Sequence, residues 1–156
     1  MCISDQTWQW RECTKYSGPK ARRRFTINQF QDFLYLYGGC GASVQKFKTN
    51  EYYWDVWEFS ILNNEWKEIK STGDIPSAWC SHASAVLKNN MFVYGNKNMH
   101  DSLSDLCLFD LKTFTWIGAS LDLKQLIGPW SMHTMNSYTD YKKSVKSKVV
   151  KSKMGI

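Results

Sequence analysis

The sequence predicts an all-β fold built from repeated antiparallel sheets, and three observations carry that prediction. The first is a pair of short apolar runs that stop on glycine. Phe33-Leu34-Tyr35-Leu36-Tyr37 ends on Gly38-Gly39, and Met91-Phe92-Val93-Tyr94 ends on Gly95-Asn96. Each run has the length of one strand, and glycine accepts the positive φ needed where a strand turns away. The second is a set of equal offsets: Phe25 to Gly38 and His82 to Gly95 are both 13 residues, while Asp55 to Trp66 and Asp105 to Trp116 are both 11. The third is the aromatic content, eight Trp, eight Tyr and eight Phe, or 15% of the 156 residues. Flat and bulky side chains suit a half-buried pleated surface better than a helix.

Taken in order, residues 1–18 are polar, hold Trp8 and Trp10, and read as a linker or as the end of a preceding unit. The first unit is expected over 19–70: a strand from Arg22 to Phe30, a tight turn at Gln31-Asp32, the run that ends at Gly39, and a long loop over 40–53. Trp54 to Ser60 alternates as a strand does, Asn63-Asn64 is turn chemistry, and Glu65 to Ile69 closes the unit. The same order returns over 71–118: Trp79 to Leu87, a turn at Lys88-Asn89-Asn90, the second glycine-ended run, a shorter loop over 96–104, Asp105 to Asp110, and Thr115 to Ile117. The two units differ mainly by seven residues in the loop after the glycine, and stacked repeats tolerate insertions of that kind. A third unit starts over 119–141 with Gly128-Pro129-Trp130 and His133, but Lys146 stands 13 residues beyond His133, so the third glycine strand is missing.

These landmarks resemble the Kelch repeat, whose unit of about 50 residues forms one four-stranded blade of a β-propeller. The first copy offers Pro19, Arg22-x-x-Phe25, Gly38-Gly39, Asp55-Val56-x-x-Phe59-Ser60 and Trp66; the second offers Pro76, Trp79-x-x-His82, Gly95-Asn96, Asp105-Leu106-x-x-Phe109-Asp110 and Trp116. Phe25 stands where the family has His, Trp79 and Trp130 where it has Arg, and Asn96 where it has a second Gly. The resemblance implies an all-β, partial β-propeller of four-stranded antiparallel Kelch blades. Gly38, Gly39, Asp55, Trp66, His82, Gly95, Asp105 and Trp116 then hold structural repeat positions. Two blades and two fragments do not close a ring of roughly four to eight, so the missing blades are expected from the rest of a longer chain, the alternative being a truncated product whose blade edges are exposed to pairing.

Charge and cysteines narrow the setting. The net charge is +6, and Lys142, Lys143, Lys146, Lys148, Lys151 and Lys153 supply all of it, leaving 14 basic against 14 acidic residues over 1–141. The folded part is therefore neutral, and the Lys/Ser tract 142–156 is expected to be a solvated, disordered tail. Five cysteines, an odd number with no Cys-x-x-Cys pair, a polar N-terminus and no run of about 18 to 20 apolar residues predict reduced thiols, no membrane span, and a cytoplasmic or nuclear protein.

Ligands of such propellers usually meet the loop after the glycine strand and the turns between blades, here 40–53, 96–104, 70–79 and 117–130. Arg22, Lys46, Phe47, Lys48, Tyr52, Tyr53 and Trp79 are accordingly the candidate partner-binding residues, mixing cations with aromatic anchors. Each also has a plainer reading, as a variable surface loop or a structural arginine. Cys80 and His82 look like half a metal site, and Cys40 like a nucleophile without a located base. No catalytic residue, metal site or cofactor is assigned, since neither Gly-x-Ser-x-Gly, nor a phosphate loop, nor His-Glu-x-x-His occurs. The expected function is a non-enzymatic protein-interaction module for substrate recognition or scaffolding in a larger complex such as a ubiquitin ligase, with a protein partner and no specific nucleic acid. The rival readings are a propeller-based metal-dependent enzyme, and nucleic-acid or membrane contact through the basic tail.

Overall fold

A computed structural model describes residues 18–44, 49–78, 80–97, 102–119, 134–138 and 148–152. The first sheet holds β1 (Thr26–Phe30), β2 (Phe33–Tyr37), β5 (Val56–Ser60) and β6 (Glu65–Ile69), antiparallel in that spatial order. Between β2 and β5 lie β3 (Cys40–Val44) and β4 (Thr49–Tyr52), which pair with each other, while Cys40 also bridges to Arg23. The second sheet has the order β7 (Thr72–Gly73), β11 (Thr115–Ala119), β10 (Ser102–Asp110), β9 (Asn90–Lys97), β8 (Ala83–Leu87). Strands β8 to β11 repeat the meander of β1, β2, β5 and β6. This is the all-β propeller-blade architecture that the repeat predicts.

The repeat is written in the backbone more fully than in the side chains. Left-handed φ angles occur at Arg24 (58°) and Ser81 (59°), at Gln31 (55°) and Lys88 (55°), at Gly38 (64°) and Gly95 (72°), and at Asn64 (57°) and Phe114 (56°). Each pair occupies equivalent places in the two units, yet only one pair is glycine. The turns of the blade therefore demand this geometry whatever residue stands there. The same angles shorten two expected strands. Arg22–Phe30 becomes Thr26–Phe30 and Trp79–Leu87 becomes Ala83–Leu87, because a left-handed residue cannot continue an extended strand. Gly39 has φ 97°, and a Cβ there would lie 2.9 Å from the carbonyl oxygen of Arg23, so this position does require glycine.

Two other expectations are corrected. Within 40–53, read as a loop, β3 (Cys40–Val44) pairs antiparallel with β4 (Thr49–Tyr52), with a register shift between Cys40 and Ser43. At both ends of the 96–104 segment, also read as a loop, the described residues are strand, since β9 runs to Lys97 and β10 starts at Ser102. Pairing supplies the backbone groups of both segments with partners that an open loop would leave to water. In the tail, expected to be disordered, β13 (Lys148–Ser152) pairs antiparallel with β12 (Thr134–Tyr138). Two adjacent β-branched residues, Val149 and Val150, give that short piece strand propensity within the Lys/Ser tract. Strands β1 and β12 both lie against β8, an edge strand of the second sheet.

The core sits between the two sheets. Tyr37 and Trp116 are fully buried with ring centroids 4.9 Å apart, and Trp116 also meets Phe109 at 4.8 Å. Met91, Val93, Val56 and Ile69 fill the space around them. Polar contacts fix the register of the sheets: Thr26 Oγ1 lies 3.0 Å from His82 Nε2, Asn28 Nδ2 donates to Ser84 Oγ, and the Ser81 amide donates to the Arg24 carbonyl at 3.1 Å. Thr26 and Asn28 share one face of β1, as the two-residue period requires.

One ion pair ties the entry to the first sheet to the far end of its hairpin. The Arg22 guanidinium forks onto Asp55, with Nη1–Oδ1 2.6 Å and Nη2–Oδ2 2.8 Å, and also donates to the carbonyls of Gly38 and Lys20 at 3.1 Å each. Burial would push the Asp55 carboxyl up, but hydrogen bonds from Arg22 and Trp57 outweigh it and hold the group below its ordinary 3.8. The stabilisation from this pair is thus complete above pH 3.8 and is lost as pH falls through the lower folded-state value.

Two stability measurements check these contacts. Trp116→Ala is expected to lower the unfolding free energy by about 3 to 5 kcal/mol in urea titration, whereas Ile117→Ala, on the same strand but half exposed, changes it by less than about 1 kcal/mol. Asp55→Asn is expected to cost about 2 to 4 kcal/mol near neutral pH, since it leaves the buried guanidinium without its counter-charge. It also flattens the fall of melting temperature that the parent chain shows as pH drops below 3.8.

Candidate functional site

Strand pairing brings the ends of three segments together on the side of the first sheet where the hairpin emerges. Residues 18–22 enter there, residues 51–55 return from β4, and β5 and β6 run alongside with Trp57 opposite Glu68. Between them opens a cleft of about 350 Å³. Its base is Arg22, Tyr53 and Asp55; its walls are Trp54, Trp57 and Tyr52, with Lys20, Glu51 and Glu68 at the rim and Gly18 at one end.

The base is rigid. Arg22 lies with its Cζ 4.1 Å from the Tyr53 ring centroid, so the guanidinium is held between an aromatic face and the Asp55 carboxylate. Trp57 Nε1 donates to Asp55 Oδ2 at 2.6 Å, which fixes the orientation of that indole. Tyr53 OH donates to Glu51 Oε2 at 2.9 Å, and Glu51 Oε1 meets Lys20 Nζ at 2.9 Å. These bonds lower the Glu51 carboxyl and raise the Lys20 ammonium, while burial and the Glu51 bond raise the Tyr53 phenol. A Cβ on Gly41 would lie 2.6 Å from the Tyr53 hydroxyl, so the hairpin passes close over that ring.

Of the candidate partner-binding residues, Arg22, Tyr52 and Tyr53 meet in this cleft. The Arg22 side chain is only 3% exposed and its donors are committed to Asp55, Gly38 and Lys20, so it builds the base of the cleft instead of offering a free grip for a ligand. Lys46, Phe47, Lys48 and Trp79 lie outside the described residues, as do Trp8, Trp10, His100, Trp130 and His133. Trp54, Trp57, Glu51, Glu68 and Lys20 are not among the residues that the sequence marks for partner binding. Trp57 and Glu68 were within reach: the Asn63-Asn64 turn pairs Ser60 with Glu65, and counting back along the ladder sets Trp57 beside Glu68. Trp54 carried no such signal.

The other chemical candidates are accounted for by structure. His82 Nε2 pairs with Thr26, its ring stands 5.1 Å from Tyr37, and no group of three metal-binding side chains occurs among the described residues. Cys40 is fully buried; burial, followed by the neighbouring Cys80 thiol, pushes its pKa up, the opposite of an activated nucleophile. Gly38, Gly39 and Gly95 stand at the turns and Trp116 in the core. Trp66, half-buried, packs against Phe59 with ring centroids 5.0 Å apart. Asp105 falls within β10. No helix among the described residues is long and apolar enough to cross a membrane.

Comparison with known proteins agrees with this architecture. The KLHDC2/KLHL20/DRC7 Kelch-repeats domain matches residues 1–142. Kelch domain-containing protein 1 of Mus musculus is 26% identical over 88% of this chain, which spans 38% of that protein's length. Leucine-zipper-like transcriptional regulator 1 of Mus musculus is 28% identical over 70% of the chain, matching 13% of its own length. Among solved structures, YjhT superposes with a TM-score of 0.52 at 19% identity, covering 63% of this chain and 37% of its own; that likeness speaks for the fold alone. A glycine-ended strand in each unit, a meander of four strands repeated twice and a family match over residues 1–142 lead to one conclusion: the chain belongs to the Kelch-repeat family.

Proposed function

We propose that the cleft beside the β3–β4 hairpin is a contact site for a protein partner, and that the chain recognises or scaffolds that partner within a larger complex such as a ubiquitin ligase. Kelch-repeat domains are in general non-enzymatic interaction modules. The observation that carries the reading to this site is Trp54, a large aromatic left 59% exposed at the edge of a cleft whose base is locked by the Arg22–Asp55 fork. Exposed aromatics on a preorganised base are the usual anchors of protein recognition, because little conformational freedom is lost when a partner covers them. Tyr52 and Tyr53 line the same cleft.

The remaining blades are supplied by further sequence, for which the open face of the first sheet provides a seat: Ile27 is 47% exposed there on the same face as Leu36, Trp57 and Trp66. Among the described residues Cys40, Cys80 and Cys107 form no disulfide, which suits a cytoplasmic or nuclear setting.

Affinity capture with the parent chain, Trp54→Ala and Tyr52→Ala tests the site. Proteins held through it are expected to be lost by about tenfold or more from both variants, with melting temperatures unchanged because neither side chain is buried. Equal recovery from all three chains rules the cleft out. For the ligase assignment, a captured partner whose ubiquitination does not change when this protein is depleted counts against it.

A further inference from the structure

We infer that Cys40 and Cys80 form an oxidisable dithiol: hydrogen peroxide converts the pair to a disulfide that joins the two repeat units at the root of the β3–β4 hairpin.

Backbone hydrogen bonds bring the two cysteines together. Cys40 opens β3 and pairs with Arg23 through two bonds of 2.8 Å each. Arg24, the next residue, accepts from the Ser81 amide at 3.1 Å, so the short segment 23–24 is held by Cys40 of its own unit and by the residue after Cys80 in the other. The two thiols are hydrogen-bonded neighbours, 40 positions apart in sequence and both almost wholly enclosed. A disulfide needs its sulfurs ~2.05 Å apart and its Cβ atoms about 3.5 to 4.5 Å apart. Thiols already in contact have made most of that approach.

The repeat asks for neither cysteine. Gly38 and Gly95 are equivalent and stand 57 residues apart, as do Arg24 and Ser81. By the same offset Cys80 takes the place that Arg23 holds in the first unit, and Cys40 the place that Lys97 holds in the second. Each place is therefore filled without sulfur in the other unit, and the meeting of two thiols is a property of this seam alone.

The closed pair is quiet, and opening activates it. Burial, followed by the Cys80 thiol, holds the Cys40 thiol above its ordinary range, while the exposed Arg23 and Arg24 pull it down. Local opening of the chain at Ser81 admits solvent and removes the first influence; the two guanidiniums stay near and favour the thiolate. That thiolate attacks one oxygen of the peroxide, the O–O bond breaks, and the departing hydroxide takes a proton to leave as water, with the sulfur oxidised to a sulfenic acid. The Cys80 thiol then displaces the sulfenic hydroxyl, which leaves with the thiol proton as a second water. Two thiols and one peroxide give one disulfide and two waters.

Covalent closure here reaches the cleft without entering it. Neither cysteine lines the cleft, but Cys40 stands across the ladder from Tyr52, and the Tyr53 amide donates to the Gly39 carbonyl at 2.9 Å. The disulfide ties that hairpin root to the second unit and closes a long loop, which restricts the unfolded chain.

The test uses the full chain, first reduced and then exposed to a few equivalents of hydrogen peroxide. After remaining thiols are blocked, tryptic digestion without reductant places Cys40 in the peptide 25–46 and Cys80 in the peptide 71–88, and mass spectrometry is expected to find those two joined. The melting temperature is expected to rise by about 5 to 15 °C on oxidation and to return when dithiothreitol is added. Cys107→Ser is expected to keep both responses, and Cys80→Ala to lose both. The joined peptides are read on the parent chain, so the result stands even where the Cys80 variant fails to fold. Absence of the joined peptides, joining of Cys40 to another cysteine in place of Cys80, or a disulfide that lowers the melting temperature each overturns the inference.

Discussion

The fork between Arg22 and Asp55 is the interaction on which the recognition side of this molecule depends. It joins the segment entering the first sheet to the residue preceding β5, and through the Gly38 carbonyl it also grips the end of β2. Three chain segments separated in sequence are thereby fixed at one point. Tyr53 lies against the guanidinium and Trp57 hangs from the carboxylate, so the aromatic lining inherits its position from the same pair. An ion pair in water would not hold so much; here the arginine side chain is almost wholly enclosed, and its donors are matched one by one.

Much of the fold was legible in the sequence because the repeat imposed itself at spaced landmarks. Gly38 and Gly95, with Trp66 and Trp116, gave a period that no single strand could have given, and the turns at Gln31-Asp32 and Lys88-Asn89 fell where expected. What stayed hidden was geometry carried by unexceptional residues. Arg24 and Ser81 adopt the same left-handed angle with no chemistry in common, so the strands were drawn several residues too long at their starts. The hairpin over 40–52 was missed for a related reason: its pairing is local and irregular, with a register shift, and shows no clean alternation.

Of the site, the sequence offered types but not roles. Arg22 stood out as a cation suited to carboxylates, and it does hold one, within its own chain. The residue that turned out to be exposed is its neighbour in space, Trp54, which no offset or motif distinguished from the structural tryptophans. Distinguishing them needs the ladder, because burial is decided by which face a residue takes and by what lies over that face. Trp116 is enclosed by Tyr37 of the preceding sheet, while Trp66 packs beside Phe59 and stays half-buried.

The β3–β4 hairpin has a consequence for how such a molecule can change over time. A slack loop can gain or lose residues one at a time with small effect on what it displays. A paired hairpin is stepped: removing one residue from one strand breaks its register, removing one from each strand keeps the pairing but turns the outer side chains to the opposite face, and removing two from each keeps both. Variation in this arm is therefore coarse-grained, with reach altered in matched pairs and chemistry altered by substitution within a fixed length.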